Sequence, residues 1–286
     1  MPRAEPDPRL EELASQVSTL AHVEAVILGG SISTGMTDQR SDYDLYVYTR
    51  QPIEPAFREA ILSPRAARLE LQRDFWEWED TWIEHDGTKF EIMYRGCGHT
   101  EQEVERRLSR HEACVGYTTC VLYALAHGHV LVDENGWFRS LQQRVLSTSY
   151  PDELLRAVIA KNFPVLGPII SSYEDQIESA FARRDLVSLI HRTAAWLASY
   201  FDIVFAANRQ YHPGEKRLLA QAERLPSSPA NLEIQAKVVK RALVGVGQAP
   251  MWHSVFSRAP APWTQTRYPP RHIGAKGLVF GPKGSP

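Results

Sequence analysis

Cysteine is scarce: Cys97, Cys114 and Cys120 are the only three in 286 residues. An odd, sparse set does not staple a small secreted fold, so a reducing, cytoplasmic setting is expected. No run approaches the ~20 apolar residues that a membrane span requires. Met1–Leu20 holds Arg3, Arg9 and four carboxylates without an apolar segment, which predicts no signal peptide. Neither sign of charge dominates, with 32 basic against 34 acidic side chains, so nothing global favours a nucleic-acid backbone as partner. A run of aromatics for stacking bases is missing too. No Walker loop, Gly-x-Gly-x-x-Gly or Gly-x-Ser-x-Gly follows a strand. Cys97-Gly98-His99 and His111-x-x-Cys114 lack the paired spacing of a structural zinc site.

What is present is an ordinary globular composition, 43% apolar, 10% aromatic and 23% charged, on a chain long enough for two domains. The first half alternates. A helix is expected over Leu10–Leu20, a strand over Val23–Leu28 ending on Gly29-Gly30, and a second strand over Asp42–Thr49. A helix around Glu54–Leu62 follows, then a hairpin of Trp78–Glu84 and Lys89–Tyr94 about Asp86-Gly87. One or two helices between Thr100 and His127 precede a short strand at His129–Val132. The predicted class is α+β: a mixed sheet flanked by helices over 1–140, then an all-α bundle over 141–247 and a Pro/Gly-rich tail over 248–286. Bundle helices are expected at Asp152–Tyr173, Asp185–Asn208, Pro213–Ala222 and Asn231–Val244. Leu186, Leu189, Ile190, Ala194, Leu197 and Phe201 trace one helix face, with Trp196, Tyr200 and Phe205 as core.

The chemistry concentrates in Val26–Tyr48. Strand alternation puts Asp42 and Asp44 on one face, about 6.5–7 Å apart, while Tyr43, Leu45 and Val47 face the core. Two convergent carboxylates suit a hard cation such as Mg²⁺, which completes its shell with water and phosphate oxygens. They do not suit a glycosidase pair, whose carboxyls lie on opposite sides of a bond. Gly29 and Gly30 let a phosphate approach backbone amides, and Ser31 adds a hydroxyl. Ser31 precedes Asp42 by eleven positions, and Ser41 opens the second strand.

That ordered pair, Gly30-Ser31 and then Asp42-x-Asp44 within GGSISTGMTDQRSDYDLYV, resembles the signature of the nucleotidyltransferase superfamily related to DNA polymerase β. The resemblance spans about Leu10–Val132. It implies two Mg²⁺ ions and transfer of a nucleoside monophosphate, expected to be AMP from ATP, to an acceptor with loss of pyrophosphate. It also implies a third carboxylate on a neighbouring strand, for which Glu91 is the candidate; Glu84 and Asp86 sit at the hairpin turn. Small-molecule adenylyltransferases use such a Glu as base. Asp42, Asp44 and Glu91 are therefore the expected catalytic and metal residues, and Gly29, Gly30, Ser31, Ser41 and Lys216 the expected nucleotide-binding residues.

Asn208-x-x-Tyr211-x-Pro213-Gly214-Glu215-Lys216 marks a break between helices, and Lys216 is placed to supply a point charge to a phosphate, with Lys161 a weaker candidate. This half is similar to the helical domain of bacterial nucleotidyltransferases and, more loosely, of aminoglycoside adenylyltransferases. The acceptor is expected between the halves, where Phe75-Trp76-Glu77-Trp78-Glu79-Asp80 could attract a polyamine such as an aminoglycoside. Two alternatives stay open: a protein-modifying enzyme of the antitoxin kind, and a catalytically silent nucleotide-binding protein.

Overall fold

The computed structural model describes residues 7–30, 42–75, 77–167 and 169–227. Helix α1 (Pro8–Ser18) starts where the Asp7 carboxylate accepts the amide of Arg9 at 3.0 Å, with Pro8 in the first turn. Leu10, Leu13, Ala14 and Val17 recur at helical spacing and are buried.

Among the described residues, six strands form one sheet in the order β3-β4-β5-β2-β1-β6. They are β1 (Val23–Leu28), β2 (Tyr43–Thr49), β3 (Ala66–Arg73), β4 (Glu79–Glu84), β5 (Lys89–Gly96) and β6 (His129–Val132). Only β2 and β5 run parallel; the other neighbours are antiparallel. The Asp86-Gly87 hairpin forms as its residues predict, with Gly87 at φ +87° and its amide donating to the Glu84 carbonyl at 2.9 Å.

Strand β3 was not evident in the sequence. AARLELQR consists largely of strong helix formers. Pairing with β4, and packing of Leu69 and Leu71 on the core, override that propensity.

Alternation along the strands separates two cores. On one face Val26, Leu28, Leu45, Val47, Phe90 and Ile92 pack on α1 and on Leu62 of α2 (Pro55–Leu62). Ala25, Ile27 and Tyr48 face the other way, toward α3 (Cys97–Leu108), α4 (Cys120–His127) and α5 (Trp137–Ser147). Helix α5 crosses residue 140, the expected domain boundary, and its Phe138, Leu141 and Val145 join this sheet core.

The helical half contributes α6 (Asp152–Leu166), α7 (Tyr173–Ala182), α8 (Leu186–Ala207) and α9 (Leu218–Ala222). The helix expected over Asp152–Tyr173 stops at Leu166, and α7, which the sequence did not mark, begins at Tyr173. Helix α6 ends shortly after Pro164, and a Ser172/Asp175 capping box starts α7. The helix expected from Pro213 begins only at Leu218, because Gly214 at φ +94° and Arg217 at φ 53° turn the chain out of helical geometry. On α8 the buried face runs through Leu189, Thr193, Trp196, Ser199 and Ile203, and Leu186 and Ile190 of the expected stripe are exposed. Trp196 and Tyr200 stack in the core as anticipated, with centroids 4.8 Å apart. The segment Asn231–Val244 and the tail from 248 lie outside the described residues. Among the described residues no helix is long and apolar enough to cross a membrane.

Candidate active site

The parallel β2–β5 pair brings distant residues onto one rung. Tyr43 pairs with Phe90 and Asp44 with Glu91, so Asp42 and Lys89 fall one step earlier on the two strands. Asp42, Asp44, Lys89 and Glu91 thus mark four corners on one face of the sheet. Lys89 Nζ donates to Asp42 Oδ2 at 2.9 Å and stands 2.7 Å from Glu91 Oε1. Loss of hydration works against the Lys89 ammonium, but these two carboxylates outweigh it and hold its pKa above the ordinary value.

Asp44 is the buried corner, 8% exposed. Burial pushes its carboxyl pKa up; the charge of Lys216 pulls it down, Glu91 and Asp42 push it up, and Lys89 pulls it down. The strongest charge acting on Asp44 therefore comes from the helical half. Lys161 is exposed on α6 and is not among these leading contributions.

The path of the chain around Lys216 is held at several points. The His212 amide donates to Thr119 Oγ1 at 2.8 Å, and its Nδ1 accepts the Gly214 amide at 3.1 Å and lies 3.3 Å from Cys120 Sγ. Gln221 donates to the Lys216 carbonyl at 3.0 Å, and Tyr123 of α4 donates to Gln221 at 3.3 Å. Burial drops the His212 pKa to about 4 and lifts the Cys120 thiol to about 12, so both are neutral near pH 7. An isolated histidine beyond a helix carries no motif, and the sequence did not mark it.

Gly29 and Gly30 pack closely against β2, and Gly30 against the Asp44 carboxylate itself. The Gly29 amide donates to the Asp44 carbonyl at 2.8 Å, and a β-carbon there would lie 2.2 Å from the Tyr46 ring. Gly30 adopts φ +64°, and its β-carbon would fall 1.8 Å from Asp44 Oδ2. Only glycine fits both demands. Ser31, Ser41 and Trp76 lie outside the described residues.

The acidic run beside β4 is neutralised residue by residue. Glu77 pairs with Arg95 at 3.0 Å, Glu79 with Arg73 at 3.3 Å and Asp80 with Arg58 at 2.6 Å. The Arg95 guanidinium also lies over the Tyr46 ring, 3.9 Å from its centroid. Phe75 and Trp78 remain exposed. The run therefore offers apolar surface to a ligand and little unpaired negative charge.

Residues 10–113 match the nucleotidyltransferase domain family, and residues 116–218 match a domain of unknown function, DUF4037. The first of these matches places residues 10–113 among nucleotidyltransferase domains. No curated protein matches it significantly. Among solved structures, a nucleotidyltransferase-like protein from Exiguobacterium sibiricum 255-15 is similar at 10% identity and TM-score 0.39, covering 87% of this chain and 71% of that one. The Thermotoga maritima CCA-adding enzyme complexed with tRNA is similar at 11% identity and TM-score 0.30, over 84% and 71% of the two chains. A CCA-adding enzyme complexed with ATP gives 14% identity and TM-score 0.32, over 93% and 68%.

The donor chemistry of this site fits a hard divalent cation, since Asp42, Asp44 and Glu91 present only carboxylate oxygens. Among the described residues, no three metal-ligating side chains converge closely enough to hold an ion as they stand. Two of the three carboxylates are turned instead to Lys89.

Proposed function

We propose that this protein moves a nucleoside monophosphate, AMP from ATP, to a hydroxyl of a small-molecule acceptor. The observation that carries the reading is the Asp44–Glu91 rung of the parallel β2–β5 pair, with Asp42 one step away and Gly30 pressed against Asp44. Asp42, Asp44 and Glu91 would hold Mg²⁺, as two ions. When bound, Mg²⁺ supplies Lewis acidity toward the phosphate oxygens and the attacking hydroxyl.

The chain's own residues do the rest. Glu91, half-buried beside Asp44, accepts the proton of the acceptor hydroxyl as its oxygen bonds to the α-phosphorus. The bond from phosphorus to the bridging oxygen breaks, and pyrophosphate leaves. The Gly29-Gly30 turn and Ser31 receive the β- and γ-phosphates, Ser41 adds a hydroxyl at the start of β2, and exposed Lys216 contributes a point charge from the helical half. A small acceptor is supported by the balanced net charge of -2 and by the exposed Phe75 and Trp78. An aminoglycoside-like polyamine would meet the carboxylates of the 77–80 run already paired with arginines.

The test is calorimetric titration of ATP, GTP, CTP and UTP with and without Mg²⁺, on wild type and on Asp42→Asn/Asp44→Asn. Metal-dependent binding of ATP, lost in the double variant, is expected; acceptors, aminoglycosides and lincosamides first, are then screened by the mass gain of one nucleotide. Folded wild type that binds no nucleotide overturns the reading. Binding without transfer to any hydroxyl compound would instead favour a silent nucleotide-binding protein.

A further inference from the structure

Lys89 holds a position that the proposed chemistry leaves without a role. It is the first residue of β5, two before Glu91 and on the same face, and the parallel register sets it opposite Asp42. Its ammonium touches two of the three expected metal-binding carboxylates at once, at 2.9 and 2.7 Å. A cation shared by Asp42 and Glu91 would have to stand where Nζ now stands. Two positive charges so close, with the same two carboxylates between them, exclude one another.

Resting on the metal-dependent reading above, we propose that Lys89 is an internal counter-ion that occupies the carboxylate site and must be displaced before a divalent cation enters.

Three features of the chain support this. The four corners carry three carboxylates and one ammonium, and without Lys89 three negative charges would face one another around a buried Asp44. The Lys89 side chain is 39% exposed, and its unbranched stem lets the ammonium leave without moving the strand. Among the described residues, Lys89 is the cation in ion-pair contact with both Asp42 and Glu91, so it bridges the two carboxylates flanking the site. The consequence is coupling. A bare divalent cation competes with a tethered ammonium and binds weakly, whereas one arriving with a nucleoside triphosphate brings phosphate oxygens that share its charge and receive the released Lys89.

Direct binding of Mn²⁺ alone, followed calorimetrically and by the loss of its free EPR signal, tests this on the full chain without turnover. Lys89→Met is expected to bind Mn²⁺ about tenfold more tightly than wild type. Lys89→Arg keeps the charge and is expected to stay within about twofold of wild type. Thermal unfolding gives a second readout: without metal Lys89→Met melts below wild type, and saturating Mn²⁺ closes the gap. Wild type that binds Mn²⁺ through Asp44, as shown by loss in Asp44→Asn, with Lys89→Met no tighter, overturns the counter-ion role and leaves the transferase reading standing. Failure of wild type and Lys89→Met alike to bind Mn²⁺, with or without ATP, overturns both.

Discussion

Gly30 lies so close to Asp44 that a β-carbon added to it would stand 1.8 Å from Oδ2. The glycine therefore fixes where the buried carboxylate sits. Gly30→Ala is expected to cost about 1–2 kcal/mol for its left-handed backbone, plus the displacement of Asp44. In an Asp44→Ala background most of the second part is relieved, since only the β-carbon of residue 44, at 2.9 Å, stays in the way. Equilibrium denaturation of the four proteins should give a coupling energy of roughly 0.5–3 kcal/mol. Additive costs would mean that Asp44 does not depend on Gly30 for its place.

Asp44 itself is held at a cost to stability. Burial, Glu91 and Asp42 all oppose its charge, and only the lysines relieve it. Asp44→Asn should abolish nucleotidyl transfer, by at least about a hundredfold, because a carboxylate that would hold Mg²⁺ is lost. The same variant should melt at or above the wild-type temperature, since a desolvated charge is removed. Parallel assays of transfer and thermal unfolding check both halves; a variant that is active, or that is inactive because it is unfolded, contradicts the assignment.

Lys216 is exposed, and its charge is the strongest acting on Asp44. Lys216→Ala should leave unfolding unchanged to within about 0.5 kcal/mol, as surface substitutions usually do. It should weaken triphosphate affinity about tenfold or more, the size of a charge-assisted hydrogen bond. Nucleotide titration of the variant decides; equal affinity would return Lys216 to the solvent.

How much of this was readable beforehand depends on the range of the interaction. DYDLYVYT declares its two faces by alternation within eight residues, and the structure buries Leu45 and Val47 as expected. Asp86-Gly87 likewise specifies its own turn. Lys89 and Asp42 are 47 positions apart, and only the parallel pairing of β2 with β5 makes them neighbours. No local pattern encodes that register. Strand β3 was hidden for the opposite reason: its residues favour a helix locally, and the β4 edge decides otherwise.

The Arg58–Asp80 pair is a second long-range tie that the sequence conceals. Arg58 Nη1 lies 2.6 Å from both oxygens of Asp80, which also accept the Gln72 amide and the Tyr94 hydroxyl at 2.9 Å each. Asp80 is wholly buried and Arg58 nearly so. Asp80→Ala leaves a guanidinium uncompensated and should destabilise the chain by about 3–5 kcal/mol. Chemical denaturation measures it, and a loss under about 1 kcal/mol would show that water reaches the pair.

His212 gives the anchoring segment a pH dependence. Its side chain is fully buried and its pKa falls to about 4, against about 6.5 in an unfolded chain. Below pH 6.5 the unfolded chain takes up a proton that the folded one refuses until about pH 4. The unfolded state then binds more protons, so stability falls as pH falls across that window. The loss reaches about 3 kcal/mol at full development. Asn at 212 keeps an acceptor for the Gly214 amide but does not titrate, so His212→Asn should be less stable at pH 7.5 yet lose less on acidification. Other carboxylates titrate in both proteins and cancel in the difference. Urea unfolding at pH 7.5, 6, 5 and 4.5 should therefore show the two stabilities converging; parallel curves would mean that His212 is protonated in place and that the contact with Thr119 and Cys120 survives it.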